Sequence, residues 1–322
     1  MIRRIFSSLI FSLLMIAPAV AGADESAPRL LATGHVDEAI ATLDHQISAE
    51  PNDAIAHNLL CRAYFSLGDW DRGIRECEEA VALDPDNSQF HLWLGRIYGE
   101  KADKANFFTA AGLAKRVVRE FEAAVHLNPR NVDARTDLAE FYLEAPGIVG
   151  GGRDKAEQQA DSLQPLDPAK AHWVNARIAE KKHDNTGAEK EYRAAIDASH
   201  GAASAWLNLG LFYRHSERWD DMEQALLHVR SAPLDRPDAL VDAAEILIHS
   251  NRNLAEAVQL LHAYMNSNSA VEQAPAFKVH YLLGTASEKL GDKRQAVAEY
   301  QSALELAREF QPARQALDRV DR

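Results

Sequence analysis

The stretch Ala54–Asn87, AIAHNLLCRAYFSLGDWDRGIRECEEAVALDPDN, decides the fold of this chain. Its eighth, twentieth and twenty-seventh positions hold the small residues Cys61, Gly73 and Ala80. Small residues at this spacing let two antiparallel helices approach closely, while larger apolar side chains fill the gaps between neighbouring pairs. Pro85 then stops the second helix. The stretch therefore predicts one antiparallel helix pair.

The same pattern returns along the chain with a period of about 34 residues. Small residues recur at the equivalent positions, and Pro51, Pro129 and Pro168 repeat the role of Pro85. These marks predict seven full units: Ala54–Asn87, Ser88–Asn131, Val132–Pro168, Ala169–Ala202, Ala203–Arg236, Asp238–Val271 and Phe277–Phe310. Half a unit precedes them, with a short first helix from about Pro28, and residues 311–322 are predicted to form a C-terminal capping helix.

This period and these positions resemble the tetratricopeptide repeat family, and within it the exported bacterial members. The resemblance implies an all-α fold over residues 24–310, a right-handed α-solenoid of about seven to eight stacked antiparallel helix pairs. It also implies a non-catalytic scaffold or adaptor of the cell envelope that binds a peptide or partner protein in its concave groove.

Residues 1–23 are typical of a cleaved secretory signal peptide. Met1–Arg4 carries two positive charges, Ile5–Ile16 is apolar, and Pro18 precedes small residues ending near Ala23. The apolar run is shorter than the roughly 20 residues that a membrane-spanning helix needs. We therefore expect an exported protein with no membrane segment after cleavage, located in the periplasm or secreted.

Charge and motif content exclude several function classes. The net charge is −13, and it becomes −15 without Arg3 and Arg4, which disfavours nucleic acid as a partner. No hydrolase, zinc-protease, dinucleotide or calcium-loop motif occurs, so we expect no catalytic residue, metal or cofactor. A second hypothesis is an accessory module that binds a small ligand for a periplasmic enzyme or transport system, which an enclosed pocket would favour.

Four histidines fall at the fourth position of their units, which suggests a column of metal ligands. Neighbouring units stack on the order of 10 Å apart, whereas metal ligands converge at about 2 Å from one point. We therefore expect these side chains to take the place of the aromatic residue usual at that position: His57, His91, His172 and His280.

Two insertions interrupt the repeat, near residues 103–112 and 144–152, because the turn prolines are spaced by 34, then 44, then 39 residues. Equivalent loops of neighbouring units lie side by side on one edge of a solenoid. We therefore predict one raised lip, and two interpretations stay open: it binds a partner, or its phenylalanines lengthen the helices and pack on the neighbouring loop. Its apolar residues are Phe107, Phe108, Ile148 and Val149.

The family resemblance implies that the first helix of each pair lines the groove. Arginines at successive inward positions would favour an extended peptide bearing carboxylates, with Trp173 as an aromatic anchor. Alternatively, the arginines pair with the groove's own Glu140, Glu144 and Glu180. The predicted groove residues are Asn58, Arg62, Arg96, Glu140, Trp173, Arg177, Arg214 and Tyr281.

The two cysteines, Cys61 and Cys77, lie in the same unit. Their positions face each other across the helix pair, so an oxidising compartment permits a disulfide that closes a loop of about 16 residues. The alternative is a pair of buried thiols that fill core positions. The sequence leaves this choice open.

Overall fold

The computed structural model describes residues 26–267 and 269–320, so the predicted signal peptide lies outside the described residues. The described residues form seventeen α-helices and one 3-10 helix, with no β-strand among them. The all-α class is confirmed. No helix within these two ranges is both long enough and apolar enough to cross a membrane.

Sixteen of the helices form eight consecutive pairs, which confirms a solenoid of stacked antiparallel helix pairs. The pairs are α1 Ala27–Thr33 with α2 Val36–Ala49, α3 Ala54–Leu67 with α4 Trp70–Leu83, α5 Ser88–Lys104 with α6 Phe107–Leu127, α7 Val132–Glu144 with α8 Arg153–Leu163, α9 Pro168–Lys181 with α10 Asn185–Ala198, α11 Ala203–His215 with α12 Trp219–Val229, α13 Ala239–His249 with α14 Leu254–Met265, and α15 Ala276–Lys289 with α16 Lys293–Leu306. The last helix, α17, spans Gln311–Val320.

Helix starts and contacts within a pair both follow from the sequence. Many helices begin at an aspartate or asparagine whose side chain accepts a hydrogen bond from a backbone N–H of the first turn, as Asp53 and Asp69 do. Inside the pairs, a Cβ at Gly95 would lie 2.5 Å from the ring of Phe121, so only glycine permits this approach. Small residues therefore set the distance between paired helices.

The two insertions take different forms. The first lengthens its pair, because α5 has 17 residues and α6 has 21. The second becomes a 3-10 helix, Gly147–Val149, between α7 and α8. Both therefore project beyond the neighbouring pairs while the stacking continues.

The two ends of the solenoid meet, so the solenoid closes on itself. Apolar side chains from α1–α3 and from α15–α17 share one buried cluster, which includes Leu30, Leu43, Leu60, Phe277 and Phe310. We call this contact, between residues 27–72 and 272–313, the seam. The backbones approach so closely there that a Cβ at Gly34 would lie 2.4 Å from the backbone nitrogen of Ala276.

Ion pairs reinforce the seam. Nε of Arg62 donates to Oε1 of Glu272 at 2.8 Å, and both side chains are largely buried. Arg72 donates to Glu309 nearby. These pairs join residues that are 210 and 237 positions apart in sequence. The concave surface is therefore the inside of a closed ring.

Candidate partner-binding site

The lip is the most exposed apolar surface among the described residues. Phe107, Phe108 and Ile148 are exposed to 80%, 85% and 86%. The two phenylalanine rings contact each other edge to face, with centroids 5.7 Å apart. These three apolar side chains therefore face solvent.

A pocket of about 430 Å³ lies beside these side chains. It lies between α5, α6, α7 and the 3-10 helix, and its wall is mostly apolar, with Ala102, Ala110, Phe141 and Pro146 among its members. Val149 also lines it but is only 7% exposed. The 3-10 helix turns Ile148 outward and Val149 inward, so this fourth predicted lip residue lines the pocket from within.

Hydrogen bonds hold the second insertion in place. The N–H of Gly152 donates to the carbonyl of Tyr142 at 2.9 Å, and Nζ of Lys155 donates to the carbonyl of Gly150 at 2.9 Å. Lys155 also lies 5.1 Å from the centre of the Tyr142 ring. These contacts tie the backbone of the second insertion to the end of α7 and the start of α8.

Three of the four predicted groove arginines bind carboxylates of the protein itself. Nε of Arg96 donates to Asp137 at 2.6 Å. Arg177 contacts three carboxylates, with the shortest distances 2.6 Å to Glu140, 2.8 Å to Glu144 and 3.3 Å to Glu180. Arg62 likewise pairs with Glu272. These three arginines are therefore paired within the protein, as the second interpretation of the groove expects.

Electrostatics stabilise this network in its charged form. Burial opposes the charge of Arg177, but hydrogen bonding and attraction to Glu140 raise its pKa above the usual range. Burial likewise opposes the charge of Glu180, yet hydrogen bonds from His215 and Tyr192 lower its pKa. An incoming anion would therefore compete with ion pairs that are already formed.

The other predicted groove residues differ in accessibility. Asn58, one of the predicted groove residues, lies on α3 and is only 4% exposed. Trp173 is half-buried between two parts of the core. Arg214 has no carboxylate partner within the described ranges, and its nearest side-chain contact is His215, at 3.4 Å.

Tyr281 lies at the seam, beside a second cavity that the sequence did not predict. The cavity has a volume of about 500 Å³. It is lined by Phe65, Trp70 and Trp93 from the N-terminal part and by Tyr281 and Phe310 from the C-terminal part. No local pattern marks it, because its two walls come from units at opposite ends of the chain.

The histidine column has a structural explanation. In four pairs, Nδ1 of the histidine in the first helix lies 2.6–2.8 Å from a glutamate of the second helix. The pairs are His57–Glu76, His91–Glu120, His172–Glu191 and His280–Glu299. Within the part of the chain that the structure describes, no group of three or more potential ligands could hold a metal ion.

The two cysteines are bonded in the structure. Cys61 on α3 and Cys77 on α4 form a disulfide with their Cα atoms 5.3 Å apart. Both side chains are completely buried. The bond joins the two helices of the second pair beside the seam.

Several known proteins are similar to this chain in sequence or structure. Superkiller complex protein 3 of Mus musculus is 24% identical over 298 residues, which cover 89% of this chain and 18% of that protein. Among solved structures, a thermophilic tetratricopeptide repeat protein of Thermus thermophilus is 19% identical and covers 58% of this chain and 94% of its own, with a TM-score of 0.48. MamA is 20% identical, with coverage of 51% and 89% and a TM-score of 0.41.

The family itself is shown by the repeats. Residues 25–88, 59–114, 174–233 and 277–310 match the tetratricopeptide repeat, which together account for more than half of the chain. Members of this family are generally protein-interaction scaffolds and typically have no catalytic activity. The repeated helix pairs and these matches establish that the chain belongs to the tetratricopeptide repeat family.

Proposed function

We propose that this chain is an exported scaffold that holds an apolar segment of a partner protein on the lip. The observation that carries the proposal is the exposure of Phe107, Phe108 and Ile148, each at 80% or more, around one apolar pocket. Contiguous exposed apolar side chains mark interaction sites, and aromatic side chains are the usual anchors of such interfaces.

The geometry of the lip favours this role over that of a simple helix extension. Side chains that served only to lengthen and pack the helices would be covered, as Leu113 and Val117 are further along α6. Phe107 and Phe108 instead lie at the start of α6 with their rings in solvent. A partner that covers them would remove this apolar surface from water.

The concave surface is the second candidate for the same function. Arg62, Arg96 and Arg177 are occupied by internal carboxylates, so an acidic peptide would have to displace them. Arg214 and the half-buried Trp173 remain the groove residues that a partner could contact. We therefore rank the groove second to the lip as the partner-binding surface.

The export part of the proposal rests on two features of the sequence. Residues 1–23 have the charge and apolar pattern of a signal peptide. The Cys61–Cys77 disulfide is of the kind that persists in oxidising compartments. A fusion of residues 1–30 to alkaline phosphatase should be active in a bacterial host, and an inactive fusion would contradict export.

Site-specific photo-crosslinking tests the binding surface. Benzoylphenylalanine would replace Phe108 on the lip, Arg214 in the groove, or Ile55, which is 64% exposed on α3 away from the lip. We expect the probe at position 108 to capture one defined protein, identified by mass spectrometry. The probe at position 55 should not capture that protein.

Paired substitutions provide the control. Phe107→Ser with Ile148→Ser should abolish binding of the identified partner to the purified chain. Ile55→Ser with Leu290→Ser removes exposed apolar side chains elsewhere and should leave binding intact. Capture at position 214 without capture at position 108 would move the site to the groove, and equal binding by both double variants would overturn the lip proposal.

A further inference from the structure

The cavity beside Tyr281, which we call the seam cavity, has aromatic side chains on two of its sides. Its volume is about 500 Å³, and five aromatic residues line it. On one side, Phe65 contacts Trp70 and Trp93 edge to face, with centroids 5.6 and 5.5 Å away. On the other, the rings of Tyr281 and Phe310 are 5.6 Å apart.

Most charges of the cavity cancel. The carboxylate of Glu272 binds Arg62, and the carboxylate of Glu245 binds Nζ of Lys278 at 2.8 Å. Glu100, on α5, lines the same cavity. Within residues 26–267 and 269–320 its carboxylate has no hydrogen bond or ion pair. Among the described residues, the cavity therefore combines aromatic rings with one carboxylate that no cationic side chain contacts directly.

The surroundings of Glu100 disfavour its negative charge. Burial, followed by the negative charge of Asp103, raises the pKa of Glu100, and the positive charges of Lys104 and Lys278 oppose this only in part. A cation in the cavity would offset the cost of keeping this carboxylate charged.

The aromatic walls suit the same chemistry. The guanidinium groups of Arg62 and Arg96 already lie 5.0 and 5.1 Å from the centre of the Trp93 ring. The faces of aromatic rings attract cations through their quadrupole, and this attraction strengthens away from water. Rings of this kind also accommodate the methylene groups of a lysine or arginine side chain.

We propose that the seam cavity binds a guanidinium or ammonium group carried on an aliphatic stem, with Glu100 as its counter-ion. The source that we favour is an arginine or lysine side chain of a bound protein segment. This site is separate from the lip, and the proposal does not depend on the lip binding anything. Because its walls belong to both ends of the chain, a bound cation would also hold the ring closed.

Tryptophan fluorescence can follow binding, since Trp70 and Trp93 line the cavity. The probes are the tripeptide acetyl-Leu-Arg-Leu-amide, its neutral citrulline analogue, and agmatine, a free small cation. We expect a saturable change with the arginine peptide and none with the citrulline peptide. Saturation by agmatine at least as tight as that by the peptide would assign the site to a free small ligand and overturn the peptide source.

Variants of the chain complete the test. Glu100→Gln keeps the shape of the side chain and removes its charge, so we expect binding of the arginine peptide to weaken roughly tenfold or more. Glu305→Gln, on the exposed face of α16, should bind as the wild type does. Phe108→Ser, on the lip, should do the same. Absence of saturation with any probe, or equal binding by the Glu100→Gln variant, would overturn the proposal.

Discussion

Asp37 and Arg308 are joined across the seam although 271 positions separate them in sequence. Oδ2 of Asp37 accepts hydrogen bonds from the backbone N–H of Arg308 at 3.1 Å and from its Nε at 2.7 Å. This carboxylate raises the pKa of Arg308. A side chain of the first helix pair thus accepts a hydrogen bond from a backbone donor that follows the last pair.

Gly34→Ala should open the seam. Gly34 ends α1 with φ +83°, a conformation that costs a residue with a Cβ about 1–2 kcal/mol. The added Cβ would also lie 2.4 Å from the backbone nitrogen of Ala276. We expect lower stability in urea and a larger radius of gyration by small-angle X-ray scattering.

Gly68→Ala is the matched control for this variant. Gly68 ends α3 with a similar φ of +75°, but its added Cβ would meet nothing closer than the Trp70 ring, at 3.6 Å. It should lose stability through the backbone alone and keep the radius of gyration of the wild type. Equal radii for the two variants would show that the approach of Gly34 to Ala276 does not close the ring.

Phe108→Ser should leave stability unchanged within about 0.5 kcal/mol, because the ring is 85% exposed. Phe121→Ala, in the core of the same helix, should lower the free energy of unfolding by about 3–5 kcal/mol. Phe121 is 6% exposed and lies against Gly95. Chemical denaturation distinguishes the two, and a large loss from Phe108→Ser would mean that its ring packs within the fold.

The Cys61–Cys77 disulfide should stabilise the chain by about 3 kcal/mol on the chain-entropy estimate for a loop of this length. We expect dithiothreitol to lower the unfolding temperature of the wild type but not of Cys61→Ala with Cys77→Ala. The intact mass of the protein purified without reductant should be two hydrogen atoms lower than its mass after reduction. Complete alkylation without reductant would contradict the bond.

His91 should make stability depend on pH. Its Nδ1–H donates to Glu120 at 2.6 Å and its Nε2–H donates to the carbonyl of Pro85 at 2.9 Å, so both ring nitrogens carry hydrogen. The bond to Glu120 raises the pKa of His91 above its ordinary value of 6.5, although burial opposes this. The contribution is therefore complete below the unfolded pKa and disappears as pH rises through the raised folded value.

Thermal unfolding of His91→Gln measures this contribution. We expect the loss of stability to be larger at about pH 6 than at about pH 9. Burial opposes ionisation of Glu120, but its hydrogen bond with His91 lowers its pKa, so the carboxylate is available at the lower pH. His45→Gln, at an exposed position on α2, should show no such difference. A loss that is constant with pH would exclude the charged pair.

Local patterns predicted the repeated elements well. The small residues and prolines of Ala54–Asn87 and its copies led to helix pairs, because both act within one unit. The spacing of the prolines also located the two insertions. The seam and its cavity could not be predicted from the sequence. Arg62 and Glu272 belong to distant units, and their contact depends on the accumulated rotation of every helix pair between them.

The side chains of the candidate site were harder to predict than the backbone. Phe107, Phe108 and Ile148 are exposed on the lip, but Val149 and Asn58 point into the protein. One residue along a 3-10 helix turns the side chain by about 120°, and a repeat position does not reveal what covers it. The histidine positions were noted in the sequence, but their glutamate partners were not.

Closure of the ring constrains the number of helix pairs. An open array grows or shrinks by whole repeats, because each unit contacts only its neighbours and the ends need separate caps. Here the first and last units cap each other, so one duplicated or deleted pair would leave Gly34 and Ala276 facing different partners. Extra length in the connections between helices, as in the two insertions that form the lip, leaves the eight helix pairs of the described residues and their closure intact.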